Sequence, residues 1–332
     1  MVCLFAIMMT PAFAFISSRD DASEIHADLK ANGQLITELK PMPYGDKIAF
    51  PVRDGDLELN FESVEKDSPH SKLSQILDNP PLKWEILGDV VIFPEGSKLG
   101  DSDLSSVAEA LGCTRVAIQA EIDSGMMRKS NLELIHGDDG WVVHKENFVD
   151  YEFDITKVMF SSGNVTERRR MGEFDMTGET IVDAYCGIGY YSIPMLARSN
   201  ATHVHACEIN PDSITALQKG LARNGVSQKC TIHHGDNRDT LQNLWGVADR
   251  VVLGLIPSSQ ATWAAAIKCL KPSGGIIHVH MNVEENEIEE WIEKTLDWFS
   301  TVSGKTATAS HFEKVKWYCP HIRHVVLDIK IS

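Results

Sequence analysis

The fold of this chain is decided by one stretch of sequence, VDAYCGIGYYS, which spans residues 182–192. It overlaps the apolar run TIVDAY (180–185), which predicts a buried strand, and it leads into the helical pattern YYSIPMLAR. Two glycines at a strand-to-helix turn, Gly187 and Gly189, let the backbone come close to a bound ligand. Ser192 stands where a dinucleotide fingerprint has its third glycine, so the turn does not favour a nicotinamide cofactor.

Strand and helix patterns alternate from Lys157 to the end of the chain. Such alternation predicts a doubly wound, mostly parallel sheet. Two final strand-like runs, TATASHFEKVKWY and HIRHVVLDIKI, predict a hairpin that puts a closing antiparallel strand into that sheet. The expected fold class is therefore α/β, a Rossmann-like domain that follows a small α+β domain.

Four regions are predicted along the chain. They are an apolar leader or tail (1–17), a weakly organised N-terminal region (18–81), a small α+β domain (82–153) and the catalytic domain (154–332). The leader is too short to span a bilayer, and no membrane partner is expected. Because it lacks the positively charged start of a targeting peptide, the cytoplasm is the expected compartment, with organelle targeting by the leader as the alternative.

Composition limits the class of protein. Of 332 residues, 43% are hydrophobic and 23% charged, which is ordinary for a globular protein. Seven scattered cysteines without paired spacing argue against a zinc ribbon or a disulfide framework, and no metal site is expected. The net charge of −16 lies mostly in residues 1–150, which hold 26 acidic and 13 basic residues. An acidic chain can still carry a locally basic face, so a nucleic-acid partner is not excluded.

Acidic residues stand at three successive strand ends. Asp183 lies four residues before the first glycine, Glu208 ends the next strand, and Asp236 ends the third. Because the carboxyl ends of parallel strands line the ligand crevice, Glu208 would accept ribose hydroxyls, and Asp236 with Asn237 would bind an adenine edge. Acid, Gly-x-Gly, acid and acid in this order are typical of Rossmann-like enzymes that use S-adenosylmethionine (SAM), which needs no phosphate-binding loop.

Several segments together resemble one known family. They include KVMFSSGNVTER, VDAYCGIGYYSIP, HACEINP, IHHGDNR, DRVVLGLIPSS and KWYCPHIRHVVLDI. In this order, over roughly residues 82–332, they resemble the wybutosine-synthesising tRNA aminocarboxypropyltransferases, a sister family of the tRNA guanine-37 N1-methyltransferases. The resemblance implies SAM as the cofactor and tRNA as the partner.

The strand pattern RVVLGLI ends at Leu255-Ile256-Pro257 without an amide side chain. Base-methylating relatives usually have an amide there, which holds the base edge beside the methyl group. Its absence matches the aminocarboxypropyl branch, in which the methylene carbon of the methionine chain is attacked and methylthioadenosine leaves. The resemblance therefore implies transfer of the 3-amino-3-carboxypropyl group from SAM to 4-demethylwyosine at position 37 of tRNA.

The resemblance also implies cofactor contacts on the segment that enters the catalytic domain. Ser161 is one, and Arg168, where many relatives have lysine, would keep a positive charge for the carboxylate of SAM. With the glycine turn and the strand-end residues, the predicted cofactor-binding residues are Ser161, Arg168, Asp183, Gly187, Gly189, Glu208, Asp236 and Asn237.

No catalytic residue is predicted, since histidines near strand ends are more often structural: His233, His234, His278 and His280. Contacts with tRNA are expected from basic and aromatic residues: Arg168–Arg170, Lys314, Lys316, Arg323, Trp317 and Tyr318. Two alternatives stay open. One is a SAM-dependent tRNA (guanine-37-N1) methyltransferase, and the other is a catalytically silent SAM-fold protein that only binds RNA or another partner.

Overall fold

The computed structural model describes residues 9–62, 68–99, 103–119 and 130–332. The chain divides into two compact units, Met1–Gln75 and Ile76–Ser332. The further division at residue 153 stays a prediction. Within the described ranges, no helix is both long and apolar enough to cross a membrane.

The N-terminal unit contains a four-stranded antiparallel sheet. Its elements are β1 Met9–Ser17, α1 Ala22–Ala31, β2 Met42–Tyr44, β3 Lys47–Val52, β4 Glu58–Glu62 and α2 Pro69–Ser74, with the strand order β2-β3-β1-β4. Strand β1 covers residues 9–17, so this part of the predicted leader is an inner strand and the tail interpretation is wrong for it. Ala12 and Ala14 of β1 pack against buried Phe61. Residues 1–8 lie outside the described residues.

The second unit begins with two small sheets. The elements are β5 Glu85–Leu87, β6 Val90–Phe93, α3 Leu104–Ala110, β7 Arg115–Gln119, β8 Leu132–His136, β9 Trp141–Glu146 and β10 Val149–Asp154. Asp103 caps α3 by accepting the backbone N–H of Ser105, and Gly112 with φ +71° follows the helix end. The region predicted as a small α+β domain thus contains both strands and a helix.

A seven-stranded sheet forms the rest of this unit. Its elements are α4 Val165–Glu173, β11 Thr180–Asp183, α5 Ser192–Ala197, β12 His203–Glu208, α6 Pro211–Arg223, β13 Cys230–His234, α7 Asn237–Thr240, β14 Arg250–Leu253, α8 Trp263–Cys269, β15 Gly275–Glu284, α9 Ile288–Ser303, β16 Ala307–Cys319 and β17 Ile322–Ile331. The strand order is β13-β12-β11-β14-β15-β17-β16. The first five strands are parallel, and β17 is antiparallel to both neighbours, which confirms the predicted fold and its closing strand.

The position of the ligand crevice follows from this order. The chain winds outward from β11 through β12 to β13, and then returns to place β14 on the other side of β11. Connections therefore leave the carboxyl ends of β11 and β14 in opposite directions, which opens a crevice between them.

A buried network of charged side chains attaches helix α4 to the sheet. Arg170 on α4 donates to Glu167 on the same helix and to both carboxylate oxygens of Asp328 on β17, at 2.6 and 3.1 Å. Asp328 also contacts Nδ1 of His278 at 2.5 Å, and Arg250 donates to Nε2 of that ring at 2.8 Å. Because a guanidinium can only donate, Nε2 is the acceptor and His278 is neutral, with its proton on Nδ1. Burial lowers the pKa of His278, which agrees with the neutral ring.

We expect Asp328→Ala to destabilise the protein by about 3–5 kcal/mol, because Arg170 would lose a buried carboxylate partner. Burial alone would raise the pKa of Asp328, but His278 and Arg170 hold it well below its usual value, so the lost group is an anion. Urea unfolding followed by circular dichroism measures the change. Glu290→Ala is the control, because its ion pair with Lys294 is exposed and its loss should not move the midpoint. Equal midpoints for both variants would contradict the expectation.

Candidate functional site

A cavity of about 550 Å³ opens at the carboxyl ends of β11, β12, β13 and β14. This volume suits a small-molecule ligand, for which pockets of roughly 300–1,000 Å³ are typical. Six of the eight predicted cofactor-binding residues line it: Ser161, Arg168, Gly187, Glu208, Asp236 and Asn237. The other two, Asp183 and Gly189, are not among its lining residues.

The two glycines of the turn do different things. Gly187 lines the cavity with φ +54°, and a Cβ there would lie 2.6 Å from the ring of Tyr190. At Gly189, with φ +92°, a Cβ would lie 2.6 Å from Leu217 on α6 and 2.7 Å from Ile193 on α5. Gly189 therefore lets the turn pack closely against two helices, whereas Gly187 keeps the backbone open to the cavity.

Asp183 is fully buried beneath the turn. One carboxylate oxygen accepts the hydroxyl of Ser192 at 2.8 Å, and the other accepts the backbone N–H of Tyr185 at 3.4 Å. Burial raises the pKa of Asp183 to about 7. Its bonds join the end of β11 to the start of α5, so Asp183 holds the turn in shape from below.

Glu208 ties the turn to the end of β12. Oε2 accepts the backbone N–H of Gly187 at 2.8 Å, and Oε1 accepts those of Ile209 and Asn210 at 2.9 and 2.7 Å. A carboxylate has about four acceptor positions, so one remains for a ligand hydroxyl unless a backbone bond is shared. Burial raises the pKa of this carboxyl group even though the three backbone bonds lower it.

Asp236 and Asn237 lie where β13 enters the short helix α7. Asp236 accepts the backbone N–H of Arg238 at 2.9 Å and pairs with its guanidinium, which holds the pKa of Asp236 at about 2. The side chain of Asn237 donates to the carbonyl of Ala184 at 3.1 Å, across the end of β11. Asp236 is therefore held by its neighbour Arg238 and Asn237 by the end of β11, at one end of the cavity.

Arg168 lines the cavity, but its charge is already paired. Nε and Nη2 donate to the two carboxylate oxygens of Glu146, each at 2.6 Å, and Nη1 donates to the carbonyl of Ser161 at 2.9 Å. The side chain is 2% exposed, and the guanidinium carbon lies 4.7 Å from the ring centroid of Phe160. Glu146 thus neutralises the charge that the family resemblance assigns to the carboxylate of SAM.

One histidine of β17 reaches the cavity, and it is not among the four that the sequence singles out. His324 lines the cavity, and its Nε2 lies 3.1 Å from Nδ1 of buried His280. Burial and the charge of Lys316 lower the pKa of His324 to about 4, so the ring is neutral near pH 7. Within the described ranges, no group of His, Cys, Asp and Glu side chains could hold a metal ion.

Two family models match adjoining segments of the chain. The one described as "TRM5/TYW2 methyltransferase domain" matches residues 142–306, and the one described as "TYW2 N-terminal domain" matches residues 69–140. Together they cover all but one residue of the predicted small α+β domain and five of the seven strands of the large sheet.

Curated relatives of this chain carry consistent names. The "tRNA wybutosine-synthesizing protein 2 homolog" of Danio rerio is 42% identical over 293 residues, which cover 75% of this chain and 71% of that protein. The "tRNA wybutosine-synthesizing protein 2/3/4" of Arabidopsis thaliana is 44% identical over 268 residues, which cover 77% of this chain. Those residues cover 27% of the plant protein, so this chain spans about a quarter of its length.

One solved structure is similar to this chain in both fold and sequence. It is the P. horikoshii TYW2 in complex with MeSAdo, which is 30% identical, with a TM-score of 0.67. The similarity covers 79% of this chain and 97% of that one.

We expect Asp183→Asn to gain stability relative to the wild type as the pH rises from about 4 to 7. A carboxyl group whose pKa is raised on folding stabilises the protein below its unfolded pKa, and this contribution is lost as the pH rises through the folded value of about 7. The amide of asparagine keeps an acceptor oxygen but never ionises.

Thermal melting of both proteins across this pH range checks the expectation. The gap in Tm should widen in favour of Asp183→Asn up to pH 7 and then stay constant. Asp175→Asn is the control, because Asp175 is exposed and its pKa is lowered by Thr177, so its gap should not widen over the same range. A gap that is independent of pH for Asp183→Asn would mean that Asp183 is not buried as described.

Proposed function

Because the chain belongs to the tRNA wybutosine-synthesizing protein 2 family, we propose that it is a SAM-dependent tRNA aminocarboxypropyltransferase. It transfers the 3-amino-3-carboxypropyl group of SAM to 4-demethylwyosine at position 37 of tRNA and releases methylthioadenosine. The observation that carries the proposal is the cavity at the ends of β11 and β14, which combines acceptor carboxylates with a strand tip that has no amide.

The residues present fit SAM as the cofactor. Gly187 leaves open a place that any Cβ would fill, and Glu208 beside it keeps acceptor capacity for a ribose hydroxyl. Asp236 and Asn237 stand together at the end of β13, where they bind the adenine side of the nucleoside. Ser161, at the other wall, is the contact for the methionine part. The methylthioadenosine bound to the P. horikoshii protein has the same nucleoside.

The wall formed by Leu255, Ile256 and Pro257 favours carboxypropyl transfer over methyl transfer. When bound, SAM supplies a sulfonium whose methyl and methylene carbons are both electrophilic. The chain decides between these carbons by orientation. An apolar wall offers no amide to hold the base edge beside the methyl group.

Labelled SAM distinguishes the two reactions. We expect label at the carboxyl carbon to enter tRNA that carries 4-demethylwyosine, with one methylthioadenosine formed for each group transferred. Methyl label should stay out of the tRNA. Methyl label in tRNA, with S-adenosylhomocysteine as the by-product, would instead identify a guanine-37 methyltransferase, and tRNA with unmodified guanine 37 is the matched substrate. If SAM binds but neither label is transferred, the protein is a silent SAM-fold binder.

The tRNA contact is proposed on the hairpin of β16 and β17. Trp317 and Tyr318 are 51% and 54% exposed there, and the guanidinium carbon of Arg323 lies 3.5 Å from the ring centroid of Trp317. Exposed aromatic rings beside an arginine suit base stacking. Arg323 also pairs with Glu285, as Arg170 and Arg169 pair with acidic side chains of their own unit, so the case rests on the exposed rings. The hairpin therefore carries the strongest case for an RNA contact.

We expect Trp317→Ala to weaken tRNA binding about fivefold to a hundredfold, because stacking contributes about 1–3 kcal/mol for each base. Affinity for SAM should not change. Trp245→Ala is the matched control: Trp245 is 53% exposed and has Lys268 4.8 Å from its ring centroid, but it precedes β14, at the amino ends of the parallel strands. Filter binding with substrate tRNA measures both variants. Equal losses, or none, would remove the hairpin from the tRNA interface.

A further inference from the structure

One lysine beside the cavity forms no ion pair with any carboxylate of the described residues. Lys316 on β16 is half-buried, and its Nζ donates to the hydroxyl of Ser161 at 3.2 Å. Within the described residues, its ammonium group forms this hydrogen bond and no ion pair. Lys314, two residues earlier, differs, because it pairs with Glu285 at 2.8 Å. The lysines of β16 therefore differ: the ammonium group at position 314 is in an ion pair, and the one at position 316 is not.

The position of Lys316 turns its side chain toward the cavity wall. In the register of β16 and β17 it lies directly opposite His324, and such residues project from the same face of the sheet. Both His324 and Ser161 line the cavity. A Cβ on Gly163 would lie 2.6 Å from the ammonium nitrogen, so this glycine leaves the space that the lysine occupies.

The charge balance at this wall depends on Lys316. Glu146 and Arg168 form a bidentate pair, so their charges cancel. Lys316 then adds an ammonium group beside Ser161 that forms no ion pair with a described carboxylate. Burial and the charge of Arg168 lower the pKa of Lys316, which shows that its charged form is held at a cost. An anionic group of a ligand would offset that cost.

We propose that the ammonium group of Lys316 binds the α-carboxylate of SAM and thereby positions the carboxypropyl chain for transfer. The inference rests on the proposed function. The carboxylate is the one anionic group of SAM, and the nucleoside part is assigned to the opposite wall by Glu208 and Asp236. Lys316 is thus a specificity residue, because it holds the carboxyl end of the aminocarboxypropyl group. This group is transferred in the proposed reaction, whereas it stays bound to sulfur in methyl transfer.

Calorimetric titration with two ligands tests this assignment. Methylthioadenosine has the nucleoside of SAM but no carboxylate. We expect Lys316→Met to weaken SAM binding about tenfold or more, as for loss of a charge-assisted hydrogen bond, and to change methylthioadenosine affinity less than about twofold. Lys316→Arg should keep most of the SAM affinity, because it keeps the charge. Glu208→Gln should weaken both ligands alike, because both carry the ribose.

Lys271→Met is the control for loss of a partly buried lysine, since Lys271 bonds Asp249 at the amino end of β14, and neither affinity should change. Equal loss of SAM and methylthioadenosine affinity in Lys316→Met would overturn the inference and give Lys316 a purely structural role. Unchanged SAM affinity with weakened tRNA binding would also overturn it, and would make Lys316 a phosphate contact. If the wild-type protein binds neither ligand, the proposed function fails, and the inference fails with it.

Discussion

Buried ion pairs attach helix α4 to its neighbours, and the shape of the cavity depends on that attachment. The helix sequence VTERRRMGE offers little apolar surface, yet Glu167 and Arg168 are almost completely buried. Buried ions are tolerated only when each has a well-placed partner. Arg170 and Asp328 provide this on one side of the helix, and Glu146 provides it on the other. Because these bonds are directional, they fix the rotation of α4 about its axis more tightly than apolar packing would.

The consequence is a cavity with two unlike walls. One wall is built by the strand ends, where Glu208 and Asp236 present carboxylates on a rigid backbone frame. The other is built by the segment that leads into α4, where Arg168 is neutralised and Lys316 supplies the remaining positive charge. A ligand with ribose hydroxyls at one end and a carboxylate at the other matches this division.

The sequence predicts the parts of this arrangement that local patterns encode. Alternating strand and helix patterns, and two strand-like runs at the end of the chain, are local signals, so the sheet and its closing hairpin could be predicted. Glu208 and Asp236 could be placed because strand ends meet at one edge. The pair of Arg170 and Asp328 could not, because 158 residues separate the partners and no pattern links them. Glu146 was missed for the same reason, and Gly189 could not be distinguished from Gly187 without knowing which side chains pack against it.

Under the proposed function, the two cavity walls determine which group of SAM is transferred. Methyl and carboxypropyl transfer begin from the same sulfonium, so neither requires a chemical group that the other lacks. They differ in which carbon faces the base, and that is set by where the two ends of SAM are held. An apolar strand tip at Leu255–Pro257 removes one set of restraints on the base, and a cation at Lys316 adds one on the carboxyl end of the cofactor. Changing the reaction in this fold would therefore require coordinated substitutions at both walls, since an amide at the strand tip alone would leave the carboxypropyl chain where Lys316 holds it.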